Sequence, residues 1–219
     1  MIEYVALIND SPISIECNFK LLTLHLNNSL SLSSHTNFIC KKVSQVLYLF
    51  NNSRKFLSSQ CTKLFYYNFI HPHIINNIAL YFFTSPASTT DQIYKLQKKA
   101  LRTICEVRLK DKISSSSLFK KCSILPLPLL AKYHAACMGH TALYIKTPAY
   151  LLPSFTQDQG NPTQTIATRN QHKIKSSLSY NKLERAIQSS FNSLPVQIRA
   201  LTSQSYFKIK LKKHLLNSL

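Results

Sequence analysis

Residues 90–108 read TDQIYKLQKKALRTICEVR. Ile93, Leu96, Ala100, Leu101 and Ile104 recur at the three-and-four spacing of one helical face, which predicts an amphipathic helix. At about 100° per residue, Lys95, Lys98, Lys99 and Arg102 fall on the opposite side within one narrow arc. Two readings of that arc are open. It is a solvated face that happens to be basic, or a stripe that faces phosphates.

The charge of the whole chain favours the second. Its 219 residues hold 27 Lys and Arg against 8 Asp and Glu, a formal charge of +19. A compact domain with that charge repels itself unless an anion is near. Nucleic acid is the first partner to expect and an anionic membrane the second, but no stretch reads as a membrane-seeking helix. Acidic protein surfaces remain an alternative, in which the chain is a basic helical interaction domain with no nucleic-acid role. Hydrophobic residues make up 45%, enough for a buried core in one domain or two small ones. Only two glycines occur, which argues against a Gly-rich phosphate loop.

The most apolar stretch, residues 70–83, carries two His, a Pro and two Asn and is too short to span a bilayer. Residues 1–10 hold Glu3 and Asp10 and no basic residue, unlike a secretory signal. An intracellular protein of nucleus or cytoplasm is expected, not a secreted one. The six cysteines never form C-x-x-C and read as reduced, mostly buried thiols.

Outward from the central helix, the pattern predicts a mainly α protein with a small β element over about 19–32. Residues 1–8 and 19–26 read as strands, with Asn27, Asn28 and Ser29 as a turn. A helix from near Ser34 presents Ile39, Val43, Val46, Leu47 and Phe50, with Arg54 and Lys55 placed to complement its dipole. A second, from about Ser59, turns Leu64, Tyr67 and Ile70 inward until Pro72 ends or kinks it. Helices follow at 114–121 and 129–146, separated by Pro126 and Pro128. Residues 154–176 lack periodicity and read as a linker or mobile loop. Two helices close the chain near 181–191 and 203–216, the last with Phe207, Leu211 and Leu215 at spacing four.

Three stretches carry a resemblance: FKLLTLHLNNSLSLSSH (19–35); the run holding LFYYNFIHPHIINN (64–77), IYKLQKKALRTI (93–104) and LFKKCSILPL (118–127); and SLSYNKLERAIQSSFNSLPVQIRALTSQSYFKIKLKKHLL (177–216). Together, and in this order, they resemble the C-terminal thumb and post-thumb region of a LINE-type, non-LTR retrotransposon reverse transcriptase of the jockey-like kind. Leu96 to Arg102 and Ile104 fit that family's central motif without a gap. Asn192, Leu194, Pro195, Ile198, Arg199, Ser203, Phe207, Lys208, Leu211, Lys212, Leu215 and Leu216 fit its closing motif, with Phe191 where the family has Trp. Lys20, Leu22, Leu30 and His35 fit the end of the palm, with Thr23 in place of Gly.

The resemblance implies a palm remnant over 1–34, a helical thumb-like domain over 35–150, a linker over 151–179 and a C-terminal helical segment over 180–219. It implies an RNA template and DNA primer as partners, with no small-molecule substrate, held by Lys95, Lys98, Lys99, Arg102, Arg199, Lys208 and Lys212 through backbone phosphates. It does not imply catalysis by this chain. The family's polymerase needs clustered aspartates for two Mg²⁺, and Asp10, Asp91, Asp111 and Asp158 are scattered. No cofactor is expected. His134, Cys137 and His140 span about 300° of a helix and cannot easily converge on zinc. His71 and His73 flank Pro72 as a helix-ending turn. Phe65, Tyr67 and Phe207 read as packing residues, with base stacking as the alternative.

Overall fold

The computed structural model describes residues 17–108, 111–146, 173–174 and 181–219, with the backbone alone of 7–8 and 11–12. It is mainly helical, with a small antiparallel hairpin near the N-terminus. The expected linker lies outside the described residues, apart from Lys173 and Ile174.

Two minimal strands, β1 (Leu7–Ile8) and β2 (Ser11–Pro12), pair with each other. The strand expected over 19–26 is instead a hairpin. β3 (Asn18–Leu21) turns at Leu22 and Thr23 and pairs antiparallel with β4 (Leu24–Asn27). Leu22 takes a φ of 55° there. The apolar alternation slips by one residue at the adjacent Leu21 and Leu22, which is where the chain reverses.

Helix α1 (Ser33–Ser53) buries Ile39, Val43, Leu47 and Phe50. A short 3₁₀ turn, Arg54–Phe56, leads to α2 (Ser59–Phe65). A π-helical turn, Tyr66–Ile70, follows and runs into α3 (His71–Ile75). The wider turn changes the helical register. Tyr66 and Ile70 are buried, whereas Leu64, expected inside, is 60% exposed. Pro72 sits in the first turn of α3, where its missing N–H is harmless.

Helix α4 (Ile78–Thr84) and the long α5 (Ala87–Cys105) come next. Ile93, Ala100, Leu101 and Ile104 are buried as the spacing predicts, but Gln97 is buried with them. α6 (Ser115–Cys122) and α7 (Leu127–His140) are separated by Pro126, which takes the N-cap position of α7. A second π-helical turn, Thr141–Ile145, closes α7.

The C-terminal helices α8 (Lys182–Asn192), α9 (Val196–Arg199) and α10 (Gln204–Asn217) share one apolar core with the preceding ones. α8 approaches α7 closely at Gly139, where a Cβ would meet the Phe191 Cβ at 3.2 Å. Glycine is used here for nearness, not for its backbone freedom. Asn192 holds the Ile174 backbone from both sides, accepting its N–H at 2.8 Å and donating to its carbonyl at 2.9 Å. Phe191, Leu194, Phe207, Leu211 and Leu215 are all buried, so these apolar positions in and beside the closing motif are core.

The cysteines depart from expectation. Among the described residues Cys122 is buried, Cys40, Cys105 and Cys137 are half-buried, and Cys17 and Cys61 are exposed.

Candidate nucleic-acid interface

The basic arc of α5 divides into two. Lys99 and Arg102 line an open trough of about 560 Å³ with Arg54, Lys55 and Arg108. Lys95 is exposed, and Lys98 lies over the Tyr94 ring, its Nζ 4.3 Å from the centroid. That contact favours one orientation of the Lys98 ammonium.

The trough exists because the end of α1 is tied to the end of α5. Arg54 donates through Nε to the Thr103 carbonyl at 3.1 Å, through Nη1 to the Leu57 carbonyl at 3.1 Å, and pairs with Glu106. Thr103 in turn donates to the Asn51 side chain at 2.7 Å. Arg54 therefore complements the C-terminal carbonyls of α5 rather than those of its own helix, a correction to the expected dipole role. Glu106 ends α5 in the left-handed conformation, φ 57°, with its N–H reaching the Thr103 carbonyl. Glu106 is the acidic residue among the trough's lining residues. The Nη1 of Arg102 is shielded from solvent and has no hydrogen-bond partner among the described residues. A screened guanidinium donor left without a partner is costly.

Lys208 and Lys212, expected as secondary contacts, both lie exposed on α10. Lys212 borders a groove of about 430 Å³ with Lys120 and Lys213. Lys208 borders a cleft of about 310 Å³ with Tyr133, His134, Cys137 and Gln204. Arg199 does not belong to such a surface. It is 2% exposed, and burial lowers its pKa while the nearby Tyr144 raises it. Its backbone carbonyl accepts the Tyr144 hydroxyl at 2.8 Å. Arg199 lies on the inner side of the short α9, so the expectation that it reaches phosphate from the surface is corrected.

The three residues weighed as zinc ligands do not share one site. His134 and Cys137 share the cleft beside Lys208. His140 is buried, its Nε2 2.7 Å from the Leu201 carbonyl and its ring stacked on Phe207 at 4.2 Å. Among the described residues no group of three or more His, Cys, Asp or Glu could hold a metal ion. Among them, too, no helix is long and apolar enough to cross a membrane.

Sequence reasoning missed Arg108 and the convergence of Arg54 and Lys55 on the α5 arc. Nothing local signals it, since residues 54 and 102 meet only through helix packing.

No family model, curated protein or solved structure matches this chain.

The trough thus brings guanidinium and ammonium groups together around one carboxylate, that of Glu106. Such cations bind and orient a polyanion.

Proposed function

We propose that the chain binds the sugar–phosphate backbone of nucleic acid without reading its sequence, as the C-terminal fragment of a non-LTR retrotransposon RNA-directed DNA polymerase. The observation that carries the binding is the α5 trough, where five cations from two helices and their ends surround one open channel. A trough of this kind neutralises successive phosphates and releases their counterions. The retrotransposon origin is supported by the order of the three motifs along the chain. The hairpin also leaves Phe19 and Leu21 of β3 exposed on a two-stranded sheet, as a piece of a larger sheet would.

In this reading the chain positions template and primer and leaves synthesis to carboxylates that it does not carry as a cluster. It acts inside the cell, wherever the element's RNA is copied. A fluorescent primer–template duplex titrated at increasing salt tests it. Affinity should fall as a steep power of salt, at least about four phosphates' worth. A flat dependence, or equal affinity for an acidic polypeptide, would favour the protein-interaction alternative. Incubation with primed RNA, deoxynucleotides and Mg²⁺ should give no extension, and measurable synthesis would overturn the positioning role.

A further inference from the structure

Another concave space lies away from the α5 trough. A cavity of about 240 Å³ opens between α7, α3 with its preceding turn, and α10. Tyr67, His71, Tyr133, His134 and Lys212 line it, and the rest of the wall is Ile and Leu. It adjoins the cleft that holds Lys208 through Tyr133 and His134, which border both. No carboxylate among the described residues lines either space. The Nδ1 of His71 is shielded from solvent and has no hydrogen-bond partner among them.

Those features describe the ligand. Exposed ammonium groups at the opening and imidazoles in the wall, with no anionic partner lining the space, favour a molecule that brings its own negative charge. Apolar walls with two phenol rings favour a flat ring system. A cavity of about 150 Å³ holds one benzene. This one, at about 240 Å³, therefore has room for a single nucleobase but not for its sugar and phosphate as well. Lys208 and Lys212, four apart on α10, are neighbours on that helix beside the opening.

We propose that this cavity receives one unpaired nucleobase of a nucleic-acid strand, among Tyr67, His71 and Tyr133, while His134, Lys208 and Lys212 hold the attached phosphate. The proposal rests on the nucleic-acid reading above and narrows it to a strand with an extruded or overhanging base. The electrostatics agree. Burial, then His134 and Lys212, hold His71 at about 4. Burial, then Lys208, lower His134. The rings of Tyr66 and Tyr67 face His71 at 5.7 and 5.4 Å, and that of Tyr133 faces His134 at 5.4 Å. A bound phosphate would offset the two lysines and raise both imidazole titrations.

The full chain, followed by NMR of its histidine side chains, tests this with adenosine 5′-monophosphate, adenosine and inorganic phosphate as separate probes. Adenosine monophosphate should raise the His71 and His134 midpoints by about one unit, with each half-molecule doing less. The exposed change Lys212→Gln should weaken binding of the monophosphate several-fold, and Lys41→Gln, on the exposed face of α1, should leave it unchanged. Equal effects from phosphate alone would overturn the base pocket. Unmoved histidines in a chain that still binds duplex would overturn the proposal and spare the nucleic-acid reading. Moved histidines in a chain that binds no duplex would uphold the pocket for a free nucleotide and overturn both its strand and that reading.

Discussion

The side-chain amide of Gln97 donates to the Tyr66 hydroxyl at 3.2 Å. It also donates to the Leu125 carbonyl at 3.0 Å and accepts the Leu127 N–H at 2.8 Å. One fully buried glutamine thus joins α5, the π-helical turn after α2 and the approach to α7. Gln97→Leu keeps the volume but leaves those three groups without partners in a dry place. It should cost about 3 kcal/mol and lower the thermal midpoint by roughly 10 °C. Calorimetry showing an unchanged midpoint would remove Gln97 from the framework.

The division of the α5 arc predicts unequal effects on binding. Lys99→Gln with Arg102→Gln should flatten the salt dependence of duplex binding by about two units, one per lost phosphate contact. Lys95→Gln with Lys98→Gln should flatten it less, because Lys98 rests on Tyr94 and neither residue lines the trough. Equal slopes for the two double variants would spread the interface evenly along the helix.

The helical framework was legible in the sequence because burial in a helix imposes its period, and α5 and α10 keep that period cleanly. Leu64 was misplaced because a π-helical turn shifts register without altering composition. Gln97 was missed because a polar residue on an apolar face reads as an interruption until its three partners, 28 to 31 residues away, are in view. Arg199 looked like a surface cation because charge alone does not report which side of a four-residue helix faces inward. Two of the trough's five cations, Lys99 and Arg102, were readable in the arc on α5. Arg54 and Lys55 arrive from the end of α1 through packing, which no local pattern encodes.

Acid should destabilise the protein in a defined window. His71 is held at about 4 by burial, then by His134 and Lys212, against an ordinary value of 6.5. A lowered histidine pKa means that the unfolded chain binds the proton first. Stability is therefore complete above pH 6.5 and declines as the pH falls toward 4, by at most about 3 kcal/mol from this residue. Burial also lowers His35, His134 and His140, which adds in the same direction. Denaturant midpoints measured from pH 7 to pH 4 should fall, and less steeply in His71→Gln. Parallel curves would exclude His71 as a source.

Several helices end on left-handed residues that are not glycine. Ser123 follows α6 with a φ of 55° and is exposed. Ser123→Gly relieves the Cβ clash at no cost in packing and should stabilise by about 0.5–1 kcal/mol. A lowered midpoint in urea would show that the serine side chain matters more than its backbone.

Cys105 and Cys122 end α5 and α6 with their sulfurs 3.1 Å apart. Burial, then Cys105, pushes the Cys122 thiol up to about 12. The half-buried Cys105 is therefore the thiol to react first. Its thiolate attacks a glutathione disulfide, releasing one glutathione. Cys122 then displaces the second as a thiolate, giving an intramolecular disulfide and two reduced glutathiones. Peptide mapping after mild treatment should find that link ahead of any joining Cys40 or Cys137. A Cys105 adduct that never resolves would show that the second sulfur cannot approach.

Phe207 presses its ring against His140 and, with Leu211 and Leu215, closes the far side of α7. The last helix is thus a lid on inherited information as much as on a core. A nonsense codon at Gln204 would uncover His140 while sparing every cation of the α5 trough. The cations of the trough and the aromatic packing around His140 are thus encoded far apart in the chain, so a change in one can leave the residues of the other in place.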